Sequence, residues 1–393
     1  MSASEFTGSK AFRRGGDAPA RSFAPAVGAD ARSTSIDLLR GTAILLVVAR
    51  HWPGSPTEPA ALRQLWALGW MGVDLFFVLS GFLISTLLFR EIDRSGRIDL
   101  PRFWLRRGLR IWPAYFAVFG GVILLRSAVD GVAGRGWSLP LEQWPNLLLI
   151  QNYFPPEVRW HHSWSLAIEE HFYLALPLLL LALGRVRTAM FGMAALLGCL
   201  ALRSALVADG AGWAAVYYPT HLRFDSLMVG VLVGYACRYH AEAVARVVAR
   251  WPLVLAACVL AVASVAFRPV ETSAYTPTLG FSLLAWTFGG VVMVAAAHPG
   301  FGERWAPCRL LAWVGVHSYS IYLVHGAMTE LPGYSALMGA TGALGIPGKR
   351  ALFLLTAIAG GVAVARFVER PAMRWRERLT RPPSAALQVQ RAA

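Results

Sequence analysis

Ser35–Pro53 reads SIDLLRGTAILLVVARHWP, an apolar run carrying Arg40 near its start and Arg50 and His51 near its end. A membrane-crossing helix needs about 20 predominantly apolar residues, and this run approaches that length. Ionisable side chains on such a helix are costly against lipid, so they face a bundle interior or a water-filled cavity. Arg40 and His51 are 11 residues apart. That is about three helical turns, so both point to one side of the helix, separated by about 16 Å along its axis. One reading has Arg40 snorkelling to headgroups and His51 sitting at the interface beside Trp52. The shared face favours the other reading, a functional pair.

The remaining composition extends this membrane reading. The chain has 393 residues, 56% of them hydrophobic and 15% charged, where a soluble domain carries about 25% charged. Candidate spans fall near 36–53, 70–89, 111–127, 164–184, 188–207, 221–238, 252–267, 278–297, 310–329 and 350–367. The predicted fold class is therefore all-α, a polytopic membrane protein of about ten transmembrane helices. LEQWPNLLLIQNYF, residues 141–154, is broken by Pro145, Gln151 and Asn152 and is expected to be re-entrant or interfacial. With the N-terminus placed in the cytoplasm, 26 of the 37 Lys and Arg residues fall in cytoplasmic segments, seven outside and four within spans. This asymmetry follows the positive-inside rule and predicts both termini in the cytoplasm. Counting 141–154 as a span would reverse every later loop and largely erase the bias.

The formal charge of +15 is thus topological, and no nucleic-acid partner is expected. Residues 1–34, rich in Ala, Gly, Ser and Arg, are predicted to be a disordered basic tail and make a poor signal peptide. A membrane domain over 35–371 and a basic cytoplasmic tail over 372–393 follow, with no soluble catalytic domain expected. Cys199, Cys237, Cys258 and Cys308 show no ligand spacing and read as small apolar residues; no metal site is expected.

Several constellations could carry chemistry. In FWLRRGLRIWPAYF, residues 103–116, Arg107 and Arg110 lie three apart on one helical face at the cytoplasmic end of the third span. Guanidinium groups so placed either anchor the helix or receive phosphate bidentately. In HHSWSLAIEEHFYLALPL, residues 161–178, Ser165, Glu169 and Tyr173 follow i, i+4, i+8 spacing. Glu169 lies about 12 Å into this helix, and at that depth it calls for a histidine or arginine partner. A Glu–Arg staple between helices is the structural alternative. Arg223 and Asp225 in HLRFDSLMVG could form a local ion pair or touch substrate. Ser318, Tyr322 and His325 in HSYSIYLVHG share a face near the outer half, with Tyr319 nearby; structural roles are favoured for both groups. GVDLFFVLSGFLI, residues 72–84, places Asp74 and Ser80 in an apolar run without a nucleophile-elbow setting.

Taken together, the Arg40-to-His51 spacing, GVDLFFVLSGFLI, RRGLRIWPAYF, HSWSLAIEEHFYL, RFDSLMVG, HSYSIYLVH and FVERP, spread from about 36 to 371, resemble the integral-membrane acyltransferase-3 family. That family O-acylates carbohydrates and related acceptors. The resemblance implies about ten spans in the bacterial cytoplasmic (inner) membrane, acyl-CoA (by default acetyl-CoA) as co-substrate with no permanently bound cofactor, and a carbohydrate or glycolipid acceptor. It assigns His51 and Arg40 to the functional Arg/His pair, Arg107 and Arg110 to donor binding, and Glu169 to the WSL…E motif. His171 stands where a glutamine is common. The predicted catalytic set is His51, Glu169 and Arg40, with Tyr173, Arg223, Asp225, Tyr322 and His325 as candidate acceptor contacts. In the mechanism expected, neutral His51 takes the proton of an attacking hydroxyl, and Glu169 orients or supports the imidazole. Arg107 and Arg110 hold the phosphates, and Arg40 binds a phosphate or steadies the oxyanion. A transporter or flippase with an intramembrane Arg–His–Glu path is the alternative, although no Gly/Pro-interrupted helix pair is visible. A non-catalytic partner in an export complex is a third reading.

Overall fold

The computed structural model describes residues 33–55, 57–132, 143–154, 160–331, 334 and 339–380, so most of the two predicted tails lies outside the described residues. Every regular element among these residues is a helix. α1, Thr34–His51, starts where the Ser33 hydroxyl accepts the Ile36 N–H, with Asp37 in its first turn and Arg50 and His51 in its last. Both charge placements complement the helix dipole. α2, Ala60–Ala67, runs through a 3-10 turn into α3, Met71–Ser95. Gly96, at φ 70°, ends α3 by returning its N–H to the Ile92 carbonyl. α4, Leu100–Val132, carries Pro113 inside it. α5, Trp144–Leu147, is a single turn. α6, Trp164–Ala208, is interrupted by non-helical backbone at Gly184. α7, Trp213–Tyr217, and α8, Thr220–Tyr239, follow. α9, Ala241–Ala249, and α10, Trp251–Ala266, meet at 73°. Then come α11, Phe281–Ala297, α12, Ala306–Val316, and α13, Ser318–Glu330, the last two separated by His317. α14, Gly345–Val364, leads through a π-turn into α15, Arg370–Leu379.

Helix occupies each of the ten predicted stretches, but length and apolarity alone qualify five spans among the described residues, or six if α9 and α10 count as one. The shortfall has physical causes. α1 and α8 carry Asp37, Arg40, Arg50, Arg223, Asp225 and Arg238. α12 and α13 are short because the helix breaks at His317. Conversely, α6 has 45 residues, or about 68 Å of helix against a hydrocarbon core of about 30 Å, and its break at Gly184 divides it into two lengths that could each cross. The described start of the predicted basic tail over 372–393 is helical: α15 runs to Leu379, and Arg102 Nη2 donates to the Thr380 carbonyl at 3.1 Å, tying α15 to α4.

Small residues and buried polar groups knit the bundle, as expected where lipid supplies no hydrophobic drive between helices. α3 and α8 touch backbone to backbone at Gly81 and Gly230. A Cβ at Gly81 would lie 2.0 Å from the Leu227 carbonyl oxygen, and one at Gly230 would lie 2.2 Å from that of Val78. The same helices are tied by Arg223 to Asp74 at 2.6 Å, while Arg203 of α6 meets Asp225 at 2.7 Å; all four side chains are fully buried. The segment at 143–154 enters the bundle as two short turns. Gln151 Nε2 donates to the Ser163 hydroxyl at 2.9 Å, Asn152 Nδ2 to the Thr220 hydroxyl at 2.9 Å, and the Tyr115 hydroxyl to the Asn146 carbonyl at 3.1 Å. Its side-chain amides thus tie this short segment to α6 and α8.

Candidate active site

α1 sets the axis of the site, and its polar face turns toward α13. Near its N-terminal end Arg40 donates to the Ser318 hydroxyl at 3.1 Å and lies 3.6 Å from Asp37. Three turns on, the His51 ring packs edge-on to His325, 5.2 Å between centroids. The helical spacing read from the sequence therefore places both residues against the same neighbour, at opposite ends of it.

His51 opens into a cavity of about 240 Å³ whose walls include His162, His325, Tyr322, Trp164, Trp213 and Tyr217. Its Nδ1 is 2.9 Å from the Val47 carbonyl oxygen one turn back. A carbonyl only accepts, so Nδ1 carries the proton and Nε2 keeps its lone pair. His325 is fully buried, and neither ring nitrogen closes a well-directed hydrogen bond, although the Ile321 and Tyr322 carbonyls face it from the preceding turn. The His162 ring lies 5.7 Å from His325. It fits only because residue 326 is glycine: a Cβ there would come within 1.9 Å of the ring. The Tyr322 hydroxyl donates to the His162 carbonyl and receives the Ser165 hydroxyl at 2.7 Å. At the rim, Arg50 and Glu271 pair at 2.9 Å, each more than a third exposed.

One turn from Ser165 on the same face of α6 lies a second cluster. Glu169 accepts a hydrogen bond from the Tyr173 hydroxyl at 2.7 Å, and that hydroxyl is 3.5 Å from Ser80 Oγ. The Arg107 guanidinium lies over the Tyr173 ring, 5.9 Å from its centroid. Arg40 and Arg107 are cations facing Glu169, and Arg110 faces both arginines. The partner expected for Glu169, a histidine or arginine in direct contact, is instead a tyrosine hydroxyl with two arginines beyond it. Among the described residues no hydrogen bond joins Glu169 to His51, so the residues predicted as one catalytic set form two clusters, histidines at one end and guanidinium groups at the other.

Arg223 and Asp225 take the structural role favoured for them, though in ion pairs between helices and not with each other. Side chains two apart on a helix diverge, and each finds its counter-charge on another element, Asp74 for Arg223 and Arg203 for Asp225. Both are fully buried and line no part of the cavity. His162, Trp213, Tyr217 and the Arg50–Glu271 pair are the cavity residues that sequence reasoning missed. The aromatic density of GWAAVYYP, residues 212–219, was the available signal for part of that wall.

The fold and these two clusters define the class: a helical integral membrane protein with a histidine-walled cavity and a separate arginine cluster. Residues 33–368 match the acyltransferase-3 family, described as "Acyltransferase domain", and the chain belongs to that family. It is 31% identical over 317 residues to the peptidoglycan O-acetyltransferase OatA of Listeria monocytogenes, a match covering 74% of this chain and 48% of that protein. It is 29% identical over 315 residues to the putative peptidoglycan O-acetyltransferase YrhL of Bacillus subtilis, covering 74% and 47% respectively. A putative O-acetyltransferase of Staphylococcus aureus is 31% identical over 215 residues, 51% of this chain and 34% of that one. The chain spans about half the length of the first two relatives. No solved structure matches it.

Proposed function

We propose that this protein is an O-acyltransferase of the bacterial cytoplasmic membrane, moving an acetyl group from cytoplasmic acetyl-CoA to a hydroxyl of a carbohydrate or glycolipid acceptor. A peptidoglycan glycan is the acceptor suggested by the names of its relatives. The observation that carries this reading is His51, whose Nδ1–H is held by the Val47 carbonyl while its free Nε2 belongs to a cavity wall. That is the tautomer a general base needs. In the reaction Nε2 takes the acceptor hydroxyl proton as the oxygen attacks the thioester carbon. The tetrahedral intermediate then collapses, the C–S bond breaks, and the departing coenzyme A thiolate regains the proton from the imidazolium.

Arg107 and Arg110 bind the donor phosphates. Arg40, beside Arg110 and about three turns from His51, joins them as a phosphate ligand. Glu169 and Tyr173 hold this arginine cluster in place. Tyr322 and His325 lie on the acceptor side. Ten spans with both termini cytoplasmic put the arginines at the inner face and the histidines farther out, with the acyl-pantetheine arm bridging the two. The basic-residue asymmetry supports that orientation.

The test is transfer of labelled acetyl from acetyl-CoA to glycan oligomers by the purified protein, with products located by mass spectrometry. His51→Ala should remain folded and lose at least about 100-fold of the rate, the lower end of what a positioned base supplies. Normal turnover by that variant would remove His51 as the base.

A further inference from the structure

The family match ends at residue 368, and α15 begins at Arg370. Its sequence, RPAMRWRERL, carries four arginines, and the helix packs against the first turns of α4. This packing sets Arg376 among Arg106, Arg107 and Arg110. The Arg376 side chain is only 15% exposed, and its Nε is buried without a hydrogen bond. Its carboxylate neighbour, Glu377, is 63% exposed and 4.0 Å away, a distance that compensates little. Among the described residues no carboxylate is hydrogen-bonded to Arg106, Arg107 or Arg110. Glu169 and Glu170 offset Arg107, but the carboxylate facing Arg376 is the exposed Glu377; the guanidinium groups at this end repel one another, and a bound polyanion relieves that repulsion.

Helix geometry sorts the cluster by depth. Arg106 lies one turn nearer the start of α4 than Arg110, a step of about 6 Å, and Arg376 comes from the helix covering that start. Coenzyme A carries two phosphate groups of different kind: a pyrophosphate next to the pantetheine arm and a monoester at the ribose 3′ position, farther from the thioester. We propose that Arg376 and Arg106 form a subsite for the 3′-phosphate of coenzyme A, on the side of the Arg107–Arg110 pyrophosphate site nearer the start of α4. This rests on the acyl-CoA donor reading above. An anionic lipid headgroup offers the same phosphate chemistry, so the experiment separates the two.

Titration calorimetry of the full chain in neutral-lipid nanodiscs compares coenzyme A with 3′-dephospho-coenzyme A. The wild type should bind coenzyme A about tenfold more tightly, the value of one charge-assisted phosphate contact. Arg376→Gln should lose that preference while its affinity for the dephospho ligand stays within about twofold, and Arg376→Lys should restore part of it. The assignment is overturned if Arg376→Gln weakens both ligands equally or neither. It is also overturned if the variant alters binding only when phosphatidylglycerol is present, which makes the phosphate a headgroup. Failure of the wild type to bind coenzyme A at all would remove the donor reading itself, and this subsite with it.

Discussion

His51 and His325 sit 5.2 Å apart with opposite hydrogen-bonding states. One ring nitrogen of His51 is committed to the Val47 carbonyl, whereas His325 is buried with neither nitrogen well bonded. A buried imidazole that meets backbone carbonyls only at poor angles recovers little of its lost hydration, so the protein keeps His325 at some expense of stability. His325→Leu is expected to hold or raise the melting temperature while lowering acetyl transfer at least tenfold. Unchanged transfer in a folded His325→Leu protein would show that the ring serves packing alone. The Arg223–Asp74 pair should behave in the opposite way. Asp74→Asn leaves a buried guanidinium without its counter-charge, a loss of about 3–5 kcal/mol. A large drop in melting temperature is expected, partly recovered in the Asp74→Asn, Arg223→Met double variant. Additive losses in the two single variants and the double would show that the pair is not coupled.

At the scale of elements, α13 matters most, because it meets α1 at both ends of the site: Ser318 bonds Arg40 and His325 packs on His51. Gly326 lets α13 approach the turn at His162 so closely that any side chain would displace the imidazole. Gly326→Ala should therefore lower transfer more than stability. Expected are about 1–3 kcal/mol of overpacking in thermal unfolding and a larger fall in turnover with coenzyme A binding unchanged. A variant that weakens donor binding instead would show that the two clusters are not separable. α15 is an element of another kind, a basic helix attached to α4 beyond the family match, and it brings Arg376 to the arginine cluster of α4.

For the whole molecule, one clamp joins the loop after α1 to the start of α14. Both nitrogens of the Arg350 fork reach Glu58, at 2.7 and 2.6 Å, and the Trp66 indole donates to the same carboxylate. Arg350 holds the Glu58 carboxyl below its usual range, chiefly through these hydrogen bonds. A depressed carboxyl stabilises the fold fully above its unfolded pKa of about 4.3 and loses that contribution as pH falls through the lower folded value. The melting-temperature difference between wild type and Glu58→Gln should thus be largest near neutrality and shrink below about pH 4. A difference that does not change with pH would place the effect elsewhere. Orientation can be tested at the same scale. In a cysteine-free background, Gly96→Cys should react with an impermeant thiol reagent only from the cytoplasmic side, and Gly54→Cys only from the opposite side.

Much of this was legible in the residues because apolar length and helical period are local properties. The ten helical stretches and the shared face of Arg40 and His51 follow from spacing along one chain. Partner choice does not. Asp74 with Arg223, Arg203 with Asp225, and Tyr173 in place of an arginine on Glu169 depend on which helices touch, and a periodic pattern specifies a face without naming what it faces. The division of one expected catalytic set into a histidine cavity and an arginine cluster arises in the same way: α1 is straight and three turns long between Arg40 and His51, and only packing against α6 and α13 determines which side chains gather at each end. The sequence alone determined the ten long apolar helical stretches and which polar residues share a face on a few of them. Tertiary structure decided which charges neutralise one another and which remain to meet a ligand, because burial and distance arise only once the helices are packed.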